Sequence, residues 1–161
     1  LVEADMTDTA SAIATSAAMH GCQLILPVDY CVASALQAGV QTRIASPCDI
    51  KAEDMILDAG PESTKAAIAA LSNCQTLVWN GPMGAFEIPP FDSATNALAR
   101  AVADRSAAGT LLSVAGGGDT VAALANAGFS HDVSYISTAG GAFLEWLEGR
   151  TLPGVEALRR A

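Results

Sequence analysis

The stretch that most limits what this chain can become is Val114-Ala115-Gly116-Gly117-Gly118-Asp119-Thr120-Val121. There an apolar run over residues 110–115 meets three glycines, an acid and a hydroxyl, and then an alanine-rich segment. This order reads as strand, tight turn, helix. Glycines let a backbone turn sharply and let a ligand approach its N–H groups, and the first turn of a helix leaves several N–H groups without partners. Such an end attracts phosphate. Asp or Thr after a glycine turn also serves as an ordinary helix cap that binds nothing, and this stretch alone does not separate the two roles.

The same pattern recurs on either side. Residues 76–79 read as a strand, 94–108 as a helix, 111–114 as the strand before the glycines, and 120–127 as a helix stopped at Gly128. Residues 133–136 read as a last strand, followed by Ser137-Thr138-Ala139-Gly140-Gly141 and a helix through Leu147. Repeated strand, turn and helix predict an α/β fold, a three-layer sandwich whose mostly parallel, Rossmann-like sheet is covered on both faces. Ligands of such sheets sit beyond the carboxyl ends of the strands. Residues 80–87, 116–120 and 137–141 all follow strands, so they are expected to line one edge.

The first half is less regular. Apolar side chains at Ala10, Ile13, Ala14 and Ala17 predict a helix from Met6 to the stop at His20-Gly21. Residues 22–26 predict a short buried strand ended by Pro27, with further apolar segments at 31–36 and 42–45. The run 55–57 ends at Asp58, and Pro61 suits the first position of a helix through Leu71, with Glu62 in its first turn. Asp29 is a lone acid at a strand end, where a turn bond is the common role. The chain opens in or just before a helix where such a domain ordinarily opens on a strand, which predicts a sheet incomplete at its N-terminal end.

With 161 residues, 51% hydrophobic and 16% charged, the sequence supports one domain over residues 1–161 with a real core. The net charge is −9 and the eight basic residues are thinly spread, so nucleic acid and anionic membranes are not expected partners. Any phosphate must be held by backbone dipoles or a metal. No apolar run has the length of a membrane span, and Glu3 and Asp5 stand where a signal peptide carries bases, which predicts a soluble intracellular protein. Cys22, Cys31, Cys48 and Cys74 form no Cys-x-x-Cys pair and are expected to be buried free thiols.

Several chemistries drop out. No Walker motif occurs, no Gly-x-Gly-x-x-Gly opens a helix, no Gly-x-Ser-x-Gly elbow is present, and His20 and His131 make no triad. What remains is two helix N-termini facing one edge, one of them bearing Asp119. A carboxylate repels a neighbouring polyphosphate unless a divalent cation stands between them, and magnesium binds one or two carboxylates together with phosphate oxygens and water. Asp119 is then the candidate metal ligand and Thr120 a phosphate donor, with the amides of Gly117 and Gly118 completing a cradle.

At these residues the chain resembles phosphoglycerate kinase. The likeness is carried by Trp79-Asn80-Gly81-Pro82-Met83-Gly84-Ala85-Phe86-Glu87, by the turn Gly116 to Thr120, and by Ile136-Ser137-Thr138 with Gly140-Gly141-Ala142. Leu147-Glu148-Gly149-Arg150-Thr151-Leu152-Pro153-Gly154-Val155, Leu26-Pro27-Val28-Asp29 and Asp58-Ala59-Gly60-Pro61-Glu62-Ser63 extend it over nearly the whole chain, in the family's order. The resemblance implies a two-lobed cytoplasmic enzyme of glycolysis that moves a phosphoryl group between 1,3-bisphosphoglycerate and ADP with magnesium. It further implies that this chain is most of the C-terminal, ATP/ADP-binding lobe.

Carried over by position, Glu87 would hold the ribose hydroxyls, Asn80 would approach the terminal phosphates, and Pro82 and Leu57 would border the adenine. Gly117, Gly118, Asp119 and Thr120 would take phosphates and metal, and Gly140 and Gly141 would receive the phosphoryl group in flight. Taken singly, Glu87 reads as a solvated loop charge, Asn80 as part of a plain turn, and Pro82 and Leu57 as packing. Their joint placement favours the functional reading.

Two positions depart from the family. Ala139 stands where the first of three glycines is usual, and a negative φ is expected there. Ile56 stands where a smaller residue is expected beside the adenine. The resemblance also implies that the N-terminal lobe, with its basic 3-phosphoglycerate side, and a phosphate-binding lysine lie outside this chain. The chain alone is then expected to bind nucleotide weakly, to turn nothing over, and to fold marginally with a tendency to associate. A non-catalytic nucleotide-binding or interaction module derived from that lobe is the alternative, and a purely structural α/β domain a third.

Overall fold

The computed structural model describes residues 4–137 and 139–159. Thr138, which belongs to the third glycine-containing stretch, lies outside the described residues. Strands β1 (Tyr30–Ala33), β2 (Thr42–Ala45) and β3 (Met55–Ala59) form an antiparallel sheet in the order β2-β1-β3. Tyr30 stands opposite both Ala45 and Ala59, and the pairing with β3 shifts register between Cys31 and Val32. Strands β4 (Thr76–Asn80), β5 (Leu112–Gly116) and β6 (Tyr135–Ser137) form a parallel sheet with β5 in the middle.

The helices follow the connections. α1 (Thr7–Met19) precedes the first sheet, and α2 (Pro61–Leu71) joins β3 to β4. α3 (Ser93–Ala107) joins β4 to β5, and α4 (Gly118–Asn126) joins β5 to β6. α5 (Gly140–Leu147) and α6 (Pro153–Arg159) close the chain. The unit from β4 to α5 is the α/β arrangement expected from the repeated pattern, and Pro61 opens α2 as expected.

One face of the parallel sheet holds the main core. Trp79 from β4 and Ala115 from β5 pack with Ala99 and Val102 of α3 and Leu124 of α4, all buried, and Leu71 of α2 joins them. These two strands alternate, as half-buried strands do. Ser113, also on that face, lies 2.7 Å from Ser106 Oγ of α3 and accepts the Ser134 N–H at 2.9 Å, so a buried hydroxyl ties three segments. A smaller cluster of Ala33, Leu57 and Phe91 joins the antiparallel sheet to the loop before α3. On the opposite face of the parallel sheet, α5 lies at the carboxyl end, while Val78, Leu112 and Tyr135 stay 41%, 54% and 61% exposed.

Four expectations are corrected. Residues 22–26 form no strand: every one is exposed, Leu26 by 71%, because no described strand lies beside them to take their N–H and C=O groups. The first three strands make a separate antiparallel sheet, which the sequence pattern did not predict. Of the four free cysteines, Cys22, Cys48 and Cys74 are exposed and Cys31 is half-buried, so thiol burial does not hold. α6 was not anticipated. No described helix is long and apolar enough to cross a membrane.

Candidate functional site

The three stretches that follow β4, β5 and β6 interlock at the carboxyl edge of the parallel sheet. β5 runs into Gly117, which has φ +93°, a conformation open to glycine and strained for residues with a Cβ. The chain then enters α4 at Gly118, with Asp119 and Thr120 in the first turn. Neither acts as the cap: the capping position is Gly117, which makes no side-chain bond. Asp119 is exposed, whereas Thr120 is buried. The Thr120 Oγ1 accepts the Gly81 N–H at 2.7 Å, and Trp79 Nε1 donates to the Gly81 carbonyl at 2.7 Å, so the end of β4 is pinned to the start of α4.

Asn80 and Gly140 close on the same turn. A Cβ placed on Gly117 would stand 3.1 Å from Asn80 Oδ1. A Cβ placed on Gly140 would stand 2.5 Å from the Gly117 nitrogen and 2.9 Å from its Cα, so the turn before α5 rests directly on the turn before α4. That contact requires glycine at position 140. Ala139 has φ −119°, as expected, and its methyl meets no left-handed strain. Ile136, Ser137, Gly140 and the residues Gly117, Gly118 and Val121 line an open cavity of about 330 Å3. Gly141 is exposed on α5, next to this lining.

A second hollow of about 360 Å3 is walled in part by the loop after β4. Leu57 and Pro82 both line it, with Pro27, Tyr30, Met83 and Ile56. Leu57 is buried, and Ile56 is 52% exposed at the wall, which makes this side bulkier than the family pattern implies. Glu87 lies on the same loop as Pro82 and is exposed, but it is not part of the lining of either hollow.

The loop that carries Pro82 and Glu87 is tied down along its length. Met83 N–H donates to Thr95 Oγ1 at 3.0 Å, Ala85 N–H to the Leu57 carbonyl at 2.8 Å, and Phe91 is fully buried. Asp58, which the sequence marks as a strand end without a role, also touches this loop. Burial pushes its carboxyl up to about 6, against the pull of the Ala94 and Ala59 N–H groups, and the charge of Asp92 pushes the same way. No local signal marked a role for Asp58, because Ala94 lies 36 residues away in the chain.

These residues suit a magnesium-bound polyphosphate in one respect that can be tested on the geometry. The turn offers bare amides and the exposed Asp119 carboxylate, a donor set suited to a cation that completes its shell from phosphate and water. No group of three or more His, Cys, Asp or Glu that could hold a metal by itself occurs among the described residues.

Comparisons with known proteins bear on the family and the fold. The profile of the phosphoglycerate kinase family matches residues 1–150. The phosphoglycerate kinase of Azorhizobium caulinodans is 57% identical over 160 residues, covering 99% of this chain and 40% of that protein. That of Xanthobacter autotrophicus is 58% identical over 160 residues with the same coverage. Among solved structures, phosphoglycerate kinase from Coxiella burnetii matches with a TM-score of 0.89 at 39% identity, over 98% of this chain and 39% of that one. The chain thus spans about two fifths of the length of these relatives. A parallel sheet with three interlocked glycine-rich loops, a family profile over most of its length and relatives above half identity lead to one conclusion: this chain belongs to the phosphoglycerate kinase family.

Proposed function

We propose that residues 1–161 are most of the C-terminal, nucleotide-binding lobe of a phosphoglycerate kinase, and that they hold ATP or ADP for phosphoryl exchange with 1,3-bisphosphoglycerate. The observation that carries this reading is the contact of Gly140 with Gly117, beside Asn80 and two residues ahead of the exposed Asp119. It brings the amide-rich ends of two helices, a side-chain amide and a carboxylate to one edge. Leu57 and Pro82 then border the adenine, and Glu87 takes the ribose hydroxyls from its exposed place on the loop. Asn80, Gly117, Gly118 and Thr120 hold the phosphate chain.

In this reading the residues act by position and charge. Phosphoryl transfer needs its donor and acceptor aligned and its developing charge met by fixed dipoles, more than it needs covalent chemistry. The amides of Gly140 and Gly141, at the start of α5, face the group in flight. Thr120 keeps the β4 loop against the α4 turn by accepting the Gly81 N–H, and so fixes the phosphate-facing turn from its buried position. Magnesium, held by Asp119 and phosphate oxygens, would supply charge neutralisation. In this reading the 3-phosphoglycerate side is supplied by an N-terminal lobe outside these residues, so this chain by itself is proposed to bind nucleotide without turnover, in the cytoplasm.

Calorimetry with ADP tests the reading. ADP binds in the presence of magnesium and weakly without it, and Asp119→Ala abolishes the magnesium-dependent part while leaving the thermal transition in place. Formation of ATP from 1,3-bisphosphoglycerate by the isolated chain would sink the proposed division of labour. Magnesium-independent binding that survives Asp119→Ala would sink the metal role.

A further inference from the structure

Asp58 ends the apolar part of β3 beside Leu57, is 3% exposed, and belongs to the wall of the hollow that Leu57 and Pro82 line, with no role given to it so far. Its Oδ2 accepts the Ala94 N–H at 2.9 Å and its Oδ1 the Ala59 N–H at 2.9 Å. Ala94 is in the first turn of α3. Asp92, at the capping position of that helix, makes no capping bond and instead receives Asn96 Nδ2 at 2.8 Å. Asp58 therefore caps α3 from a strand, taking the Ala94 N–H, which the first turn of a helix leaves without a partner of its own.

The same carboxylate touches the loop. Gly84 packs so tightly that a Cβ there would fall within the Asp58 carboxylate and 2.6 Å from the Phe91 carbonyl oxygen. One residue earlier on β3, the Leu57 carbonyl takes the Ala85 N–H. Two neighbouring residues of one strand thus grip the loop in its middle, and Asp58 also grips the helix in which it ends. Pro82 and Glu87 lie on this segment.

We propose that Asp58 is a positioning residue for the nucleoside side of the site: its carboxylate ties the Gly84 turn and the start of α3 to β3, and so sets where Pro82 and Glu87 stand relative to Leu57. This rests on the nucleotide reading of those three residues. A carboxylate accepts with charge on both oxygens, an amide turns one side into a donor that meets an N–H head-on, and a protonated carboxyl keeps only a weaker acceptor on its hydroxyl oxygen. The two bonds are therefore strongest in the charged form, even though burial makes that form the less favourable one in the folded chain.

The groups facing Asp58 leave that charge without a counter-ion. Asp92 ahead of α3 is a like charge, and Cys31 on β1 is a thiol held up by burial and by Asp58 itself. Lys65 of α2 lines the groove behind Asp58 but pairs with Glu62 at 2.6 Å. With its carboxyl pushed up to about 6 by burial, Asp58 weakens its bonds to the start of α3 in mild acid while its packing on Gly84 stays, and nucleoside affinity is expected to fall as the pH drops through that value.

Adenosine is the probe, because it has no phosphate to ionise in the same range. Its affinity is measured for the wild-type chain, Asp58→Asn and Asp29→Asn, each well above and well below the Asp58 transition. Asp58→Asn is expected to bind about tenfold more weakly above the transition, and to show no further loss below it. The wild type loses affinity on acidification. Asp29→Asn removes the corresponding tie at α2, so it lowers stability but keeps the wild-type affinity and pH profile, a split that a merely structural role for Asp58 would not produce. Equal affinity of Asp58→Asn and wild type, or a flat wild-type profile, overturns the proposal. If Asp58→Asn does not fold, the wild-type profile decides alone. A wild type that binds neither adenosine nor ADP removes the nucleotide reading itself, a result distinct from the other two.

Discussion

Asp29 and Asp58 do the same mechanical task with opposite electrostatic consequences. Asp29 is buried and caps α2 from 33 residues away, accepting the Glu62 N–H at 3.1 Å and the Ser63 N–H at 2.7 Å, with Ser63 Oγ at 2.6 Å. Burial pushes its carboxyl up, but the bonds from Ser63 and Glu62, helped by Lys65, bring it below its ordinary value. Its contribution to stability is therefore complete above the unfolded value and is lost as the pH falls through the folded one. Asp29→Ala is expected to cost roughly 2–4 kcal/mol in urea unfolding, from a lost cap and N–H groups left buried. For Asp58 the folded value is raised to about 6, so its contribution is greatest below the unfolded value and is lost as the pH rises through about 6. Asp58→Asn should flatten that part of the stability profile, and an unchanged profile would count against the assignment. Both acids are clear as residues at strand ends, yet their partners lie too far along the chain for any local pattern to name.

The glycines at the carboxyl edge divide into two kinds. A Cβ on Gly140 would collide with the Gly117 backbone, so Gly140→Ala is expected to lower stability and to disturb both turns together, as read by amide exchange at residues 116–119. Gly118 has no atom within 4 Å of a placed Cβ and lies inside the first turn of α4 at an ordinary φ. Gly118→Ala is expected to leave stability unchanged or raise it by about 0.4–1 kcal/mol, while weakening ADP binding, because a methyl then stands where phosphate would reach the amide. A Gly118→Ala variant that binds ADP as well as the wild type would remove Gly118 from the cradle. At this scale the run of three glycines located the turn, but their separate roles follow from what each one touches.

The whole molecule presents an uncovered apolar face. Val78, Leu112 and Tyr135 come from three adjacent strands of the parallel sheet, and Leu24, Ile25 and Leu26 add a run that pairs with nothing described. No residue of α1 is buried. A surface of this kind drives association. The chain is expected to sediment as a concentration-dependent mixture and to unfold over a broad range, and Val78→Thr with Leu112→Thr should reduce association while keeping strand propensity. A sharp monomeric transition in the wild type would contradict this.

Local chemistry determined much of the architecture: the glycine turn after an apolar run, Pro61 at the start of α2, and the alternation of β4 and β5 each follow from backbone sterics and side-chain periodicity within a few residues. It also placed the three loops after their strands, so that a parallel arrangement had to bring them to one edge. Tertiary structure decided the rest. Whether residues 22–26 become a strand depends on a neighbour to take their hydrogen bonds, and the direction of β1, β2 and β3 depends on how short links fold back on one another. The contact of Gly140 with Gly117 and the reach of Asp58 to α3 join residues 23 and 36 positions apart. Sequence periodicity describes which way a side chain faces; only packing decides what it meets.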